Sequence, residues 1–248
     1  MTTTIHMSIK TLYNQNDSFS RDAKLAKILW LAKEKLKKEC DILDVGCGDG
    51  KIGGELVNMG HHVDGVDVSE KGINSAREKG INAQLSQIEE FETDKKYDLI
   101  IMTDILEHLF EPLEILKKTK NWLKDDGKIV MNFPNHLDLR NRFRMFFGHS
   151  VVHWDHKELA PWDYQHIRFL TLKEIRKMAE LAGFFIAKEQ FNFMGGGIIP
   201  VKLTPSFVRY ILVKKWPALF SGKFGFLLSQ TKPEKVFRKF FPKTLKGM

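Results

Sequence analysis

A chain of 248 residues with 43% hydrophobic content is long enough for one large α/β domain with a substantial core. It has no uninterrupted apolar run of about 18 residues, so no membrane-spanning helix is expected, and the opening MTTTIHMSIK lacks the basic-then-apolar pattern of a signal peptide. The net charge of +8 is carried by the tail: residues 201–248 hold eleven Lys and Arg against Glu234 alone, a balance of +10, which leaves −2 on residues 1–200 and disfavours a body built to grip nucleic acid.

In chain order, residues 1–40 read as a polar cap followed by a helix, with Asp17, Ser18 and Ser20 as N-cap candidates and the helix running to about Glu39. Cys40 and Cys47 form no CxxC pair, and a reduced, cytoplasmic protein is expected. Ile42 to Val45 is a short apolar strand, Gly46-Cys47-Gly48-Asp49-Gly50 a tight loop, and Lys51 the start of a helix. Glycines let that backbone turn through positive φ and approach a ligand, and a helix N-terminus favours an anionic group. A dinucleotide fingerprint is excluded, because Lys51 stands where its last glycine should be.

His61 to Val68 alternates as a second strand ending at Asp67, 21 residues after Gly46. An acid there faces the ribose of a nucleotide lying across the strand ends, or else caps the next helix. Ser69 to Lys79 is a helix stopped by Gly80, and Asn82 to Leu85 a third strand. Tyr97 to Asp104 is a continuous apolar run, expected as a central parallel strand covered on both faces. Pro112 to Leu123 reads as a helix, Asp125-Asp126-Gly127 as its turn, and Lys128 to Asn135 as a fifth strand. Leu172 to Ala182 is a helix, Phe184 to Phe191 a sixth strand and Phe224 to Gln230 a seventh, the last two interrupted by residues 194–222. Val236-Phe237 and Phe240-Phe241 recur at helical spacing on a basic terminal helix.

The segment Ile42-Leu43-Asp44-Val45-Gly46-Cys47-Gly48-Asp49-Gly50 resembles motif I of the class I S-adenosylmethionine-dependent methyltransferases, and Asp104-Ile105-Leu106-Glu107-His108 resembles the D-x-L-E-H segment of their small-molecule members. From residue 40 to about 190 the chain is similar to MetW-like proteins, and from the glycine loop through the L-E-H segment to ubiquinone-biosynthesis O-methyltransferases. The resemblance implies a seven-stranded, doubly wound, Rossmann-like α/β fold with a lid insertion and a basic C-terminal extension. It implies S-adenosylmethionine as cofactor, with S-adenosylhomocysteine as product. Asp44, Gly46, Cys47, Gly48 and Gly50 would hold its methionine part, Asp67 with Val68 its ribose, and Gln87 with Ile88 its adenine. Asp104 and Ile105 would lie beneath it. Relatives often carry Asp where Gln87 stands, and a Gln carbonyl accepts a similar bond. The expected divisions are 1–40, a cofactor-binding core of 41–193 that includes a lid at 136–170, and 194–248 as hairpin insertion, last strand and tail.

The lid holds His136, His149, His153, His156 and His166. Methyl transfer to a hydroxyl needs in-line alignment and a base, and a histidine suits the latter. His108 is the first candidate, followed by His136 and His166, and pinning of the lid is an equal use for His166. His153-x-Asp155-His156, with His166 and Glu107-His108, matches no standard metal spacing, so no metal is assigned. The expected function is O-methylation of a small molecule or a lipid- or glycan-linked acceptor. The MetW-like resemblance leaves open a non-catalytic partner of an acyltransferase that binds the cofactor. Basic residues beside aromatics in the tail suit peripheral contact with the inner face of a membrane, or packing on the core or on a second subunit.

Overall fold

The computed structural model describes residues 19–151, 166–193 and 203–241. An eight-stranded mixed sheet runs through it in the order β3-β2-β1-β4-β5-β7-β6-β8. Helix α1 (Phe19–Leu31) leads into β1 (Asp41–Val45), α2 (Lys51–Asn58), β2 (His62–Asp67), α3 (Glu70–Glu78), β3 (Asn82–Leu85) and β4 (Tyr97–Thr103). Then come α4 (Pro112–Lys118), β5 (Leu123–Pro134), α5 (Leu139–Phe146), α6 (Leu172–Leu181) and β6 (Phe185–Phe193). The chain closes with α7 (Ser206–Lys215), α8 (Pro217–Phe220), β7 (Ser221–Ser229) and β8 (Phe237–Phe241).

Strands β3, β2, β1, β4 and β5 are parallel, and β7 pairs antiparallel with both β5 and β6. The β4 run shows why: Leu99, Ile100, Ile101 and Met102 are each 0% exposed, and successive residues point to opposite faces. Leu99 and Ile101 join the core beneath α1 and α2, while Ile100 and Met102 join the core beneath α4 and α6. Each such side chain contributes about 1.5–3 kcal/mol of burial. A strand this apolar on both faces fits only between two helical layers.

Four expectations are corrected. The sheet has eight strands, not seven, because the residues expected as a basic terminal helix form β8, parallel to β6. Phe240 stacks on Phe191 at 5.4 Å, and Arg238 meets buried Glu189 at 2.6 Å, contacts that the period of a strand satisfies. The first helix stops at Leu31, and a 3-10 turn at Lys35–Lys37 buries Leu36 and hands the chain to β1. Asp17 and Ser18 lie outside the described residues. The helix expected to Leu123 stops at Lys118, where the Thr119 hydroxyl donates to the Leu116 carbonyl at 2.6 Å and competes with the helical ladder; a 3-10 turn, Thr119–Trp122, follows. Asp125-Asp126-Gly127 is not a turn between elements but an irregularity inside β5, whose register with β4 shifts between Tyr97 and Leu99. A Cβ at Gly127 would lie 2.9 Å from the Tyr97 carbonyl oxygen, so only glycine fits that crossing.

Candidate active site

The site gathers at the carboxyl ends of the parallel strands, where an open α/β sheet places ligands. Strand β1 delivers Asp44, 2% exposed, into the glycine loop. Gly46 has φ +71°, and any side chain there would run into Ile105. Its amide and that of Cys47 donate to the Val66 carbonyl at 2.8 and 3.2 Å, which ties the loop to the end of β2. Gly48, at φ +51°, is different: nothing lies within 4 Å of where a Cβ would stand. That open side is a cradle, and the backbone can approach a ligand there without a side chain intervening.

Asp67 closes the loop from the other side. One carboxylate oxygen accepts from the Gly48 amide and the other from the Ser69 amide, both at 2.8 Å. The Ser69 hydroxyl caps α3 by accepting from Gly72. Capping is therefore the work of Ser69, and the Asp67 carboxylate, with about four lone-pair sites, keeps capacity for ribose hydroxyls. Beside it Val68 is 70% exposed, and Leu85, its neighbour's partner across β2 and β3, is 50% exposed. Two bare aliphatics at a strand end suit the face of a purine. Leu85 was absent from the sequence expectation, because only the strand register brings it beside Asp67. Ile88 is buried and Gln87 exposed, its amide 3.4 Å from Glu90. The Cys47 thiol is pushed up to about 12, by burial first and then by Asp44 and Asp67, so it is a packing group and not a nucleophile.

Asp104, past the end of β4, has φ +55°, the one positive φ at a non-glycine residue among those described. Its amide donates to the Asn132 carbonyl, and its carboxylate accepts from Asn132 Nδ2 at 2.9 Å and Lys223 Nζ at 2.8 Å. These bonds from β5 and β7 hold a left-handed turn that costs about 1–3 kcal/mol. The turn sends the chain into a 3-10 turn at Leu106–His108. Neither Asn132 nor Lys223 was foreseen.

Against that turn lies the segment from His166 to Arg168. The amides of Ile167 and Arg168 both donate to the Glu107 carbonyl at 3.1 Å, and Arg168 Nη2 donates to the Phe110 carbonyl at 2.7 Å. His166 is thereby brought edge-on to His108, with ring centroids 4.6 Å apart. On its other side His136 Nε2 and His166 Nδ1 are hydrogen-bonded at 2.6 Å. The structure thus brings together His108, His136 and His166. It leaves His149 exposed on the far end of α5, with its amide on the Arg144 carbonyl. His153, Asp155 and His156 lie outside the described residues. Burial, then the neighbouring His166 and Lys223, lowers His136 to about 4. His166 is lowered as well, by burial first and then by His108. Burial thus holds both rings toward the neutral form. One ligand atom each of Glu107, His108 and His166 lies within 4.8 Å of the others. Glu107 is 1% exposed.

Comparison with known proteins places the chain among methyltransferases. A family model described as a methyltransferase domain matches residues 18–189. The ubiquinone biosynthesis O-methyltransferase of Aeromonas salmonicida is 26% identical over 153 residues, covering 58% of this chain and 63% of that protein. The Rickettsia bellii protein of that name is 27% identical, with 57% and 60% covered, and the Idiomarina loihiensis one 29%, with 71% and 74%. The chain thus spans under two thirds of the first two relatives. Among solved structures, a SAM-dependent methyltransferase from Archaeoglobus fulgidus superposes with a TM-score of 0.60 at 21% identity, over 86% of this chain and 97% of that one. The plantazolicin methyltransferase BpumL bound to SAH superposes with 0.57 at 22% identity, over 91% and 90%.

Proposed function

Because the chain belongs to the class I S-adenosylmethionine-dependent methyltransferases, we propose that it methylates a hydroxyl oxygen of a small-molecule or lipid- or glycan-linked acceptor. The observation that carries this reading is the meeting of three histidines, two of them held neutral, at the strand ends beside the glycine loop. S-adenosylmethionine supplies an electrophilic methyl on a sulfonium. The residues present fit it: the bare side of Gly48, a buried Asp44, and an Asp67 carboxylate fixed by two backbone amides. Asp44 and the loop amides orient the methionine end, Asp67 receives the ribose hydroxyls, and Val68, Leu85, Gln87 and Ile88 line the adenine. Asp104 and Ile105 form the floor.

Transfer is then a direct displacement. The acceptor oxygen forms its bond to carbon as the carbon–sulfur bond breaks, and the bonding pair returns to sulfur. The hydroxyl proton leaves through the cluster of His108, His136 and His166. Alignment contributes most of the rate and proton removal about 10²–10⁴-fold. A cofactor-binding partner of an acyltransferase would have no use for such a cluster at the methyl, which favours the enzyme.

The test is calorimetric titration with S-adenosylmethionine, S-adenosylhomocysteine and NAD, followed by an isotopic methyl-transfer screen of sugars, lipids and phenols. Micromolar binding of both adenosyl ligands without NAD, and transfer to an oxygen, is the expected result. Absence of adenosyl binding, or transfer to carbon or nitrogen acceptors only, would overturn the proposal.

A further inference from the structure

We infer that a cavity on the α1 face of the sheet, at the end of the parallel strands opposite the cofactor cradle, binds a phosphorylated small molecule with an apolar part. Its volume of about 530 Å³ falls within the roughly 300–1,000 Å³ of small-molecule sites. Cys40, just before β1, and Asp98, near the start of β4, line it, whereas Asp44 and Asp104 stand at the other ends of those strands. The 7 residues of β4, at about 3.3 Å each, set the two places about 20 Å apart. None of the residues assigned to methyl transfer lines the cavity.

Four lysines do: Lys35 and Lys38 from the turn before β1, Lys128 from β5 and Lys188 from β6. Strand alternation puts Lys128 on the side of Val130, which packs in the core beneath α1. Alternation alone would turn Lys188 away from the face that Ala187 shares. The register of β6 with β7 shifts between Ile186 and Lys188, and both residues then meet the α1 side: Ala187 packs on the core there, and Lys188 Nζ lies 5.3 Å from the centre of the Trp30 ring. A bulge of this kind re-aims a side chain.

The carboxylates at the cavity already have cations. Glu34 pairs with Lys37, Glu39 with the His62 ring, Asp98 with Lys124 at 2.7 Å, and Asp126 with Lys35. Among the described residues no acid pairs with Lys38, Lys128 or Lys188; Lys128 donates to the Ser229 hydroxyl at 2.8 Å and Lys188 to the Trp30 carbonyl at 3.4 Å. Burial, then Lys35, lowers the Lys128 ammonium against the pull of Asp126, and burial lowers Lys188 against the pull of Glu34. Half-buried ammonium groups without a counter-charge are stabilised by an anion. Lysine meets phosphate as a point charge, whereas a planar carboxylate suits the fork of arginine, and the lining holds no arginine. Leu31, Ala32 and Leu227 give the apolar wall for the rest of the ligand.

Full-length protein is titrated by calorimetry with phenyl phosphate, inorganic phosphate and phenylacetate, in saturating S-adenosylhomocysteine so that the cofactor cradle is filled. One phenyl phosphate per chain is expected, bound more tightly than either of the others. Lys128→Met and Lys188→Met keep the aliphatic stems and remove the charge, and each should weaken phenyl phosphate by at least about tenfold. Lys38→Met, at an exposed position that disturbs no packing, should weaken it too, while Lys173→Met, on α6 across the sheet, should leave it unchanged. Cooperative melting like that of the natural chain is the check that each variant folds. No saturable heat with phenyl phosphate would overturn the inference. So would equal binding by the natural chain and the three cavity variants, which would mean attraction to a basic surface alone. Inorganic phosphate or phenylacetate bound as tightly as phenyl phosphate would overturn the ligand class. A site that depends on these lysines, in protein that ignores S-adenosylhomocysteine, would uphold the inference and remove the methyl-transfer reading instead.

Discussion

Replacing Asp67 with Ala removes a carboxylate that accepts from the Gly48 and Ser69 amides at 2.8 Å each and faces the proposed ribose position. Charge-assisted bonds to hydroxyls contribute about 1.5–3 kcal/mol gross, and water replaces part of that in the variant. A net loss of about 1–3 kcal/mol in S-adenosylhomocysteine binding follows, or roughly 5- to 150-fold in Kd. Loosening the glycine loop would weaken binding as well, so the ribose must be isolated. The assay is a calorimetric cycle of the natural chain and Asp67→Ala against S-adenosylhomocysteine and an analogue lacking both ribose hydroxyls. The natural chain should bind the analogue more weakly, and the variant should bind the two ligands equally. If removing the hydroxyls costs the variant as much as it costs the natural chain, Asp67 is a loop fastener and the ribose assignment is wrong.

Other perturbations test separate parts of the molecule. His108→Ala should lower turnover by about 10²-fold or more while S-adenosylhomocysteine affinity stays within about twofold, and a fully active variant would exclude His108 from the reaction. The depressed pKa of His136 means the unfolded chain binds a proton that the folded chain refuses, so the stability it contributes is whole above about pH 6.5 and is lost as pH falls toward about 4. Urea unfolding at pH 7 and pH 5 should show a larger acid loss for the natural chain than for His136→Asn, with about 3 kcal/mol as the ceiling, and equal losses would refute the assignment. At Asp104, Gly should retain more stability than Ala by about 1–2 kcal/mol, because only the left-handed turn distinguishes them; identical melting would mean the φ of +55° carries no strain. If the tail touches membranes, the full-length chain should sediment with anionic vesicles at low salt and be released by added salt, and failure to sediment at any salt would dismiss that contact.

What the sequence discloses is what short-range chemistry dictates. The glycine loop, Asp67 and the apolar β4 were legible because each is a local pattern: a turn, a strand end, a run buried on two faces. Lys223 was not, since the carboxylate it meets belongs to Asp104, 119 positions away, and only the place of β7 beside β5 joins them. His166 could be named as a candidate but not located, because its neighbour His108 lies 58 positions away in sequence. Strand β8 was misjudged for a related reason. Phe237, Phe240 and Phe241 fit a helical face as well as a strand, and the deciding partners, Glu189 and Phe191, sit on another strand. Part of the basic tail is thereby spent inside the fold, with Arg238 on Glu189 and Lys239 over the Trp30 ring.

That last strand also covers an edge of the sheet. Without β8, the ladder groups of β6 from Lys188 to Asn192 would face solvent as a long aromatic-flanked border, open to pairing with any extended chain. Arg238 clips the cover in place through Glu189, which Arg176 grips from α6 at 2.7 Å. The outermost border then belongs to a five-residue strand carrying Arg238 and Lys239, short and positively charged, so that two such borders repel. A chain cut before Phe237 could retain its entire cofactor site and still be lost to aggregation.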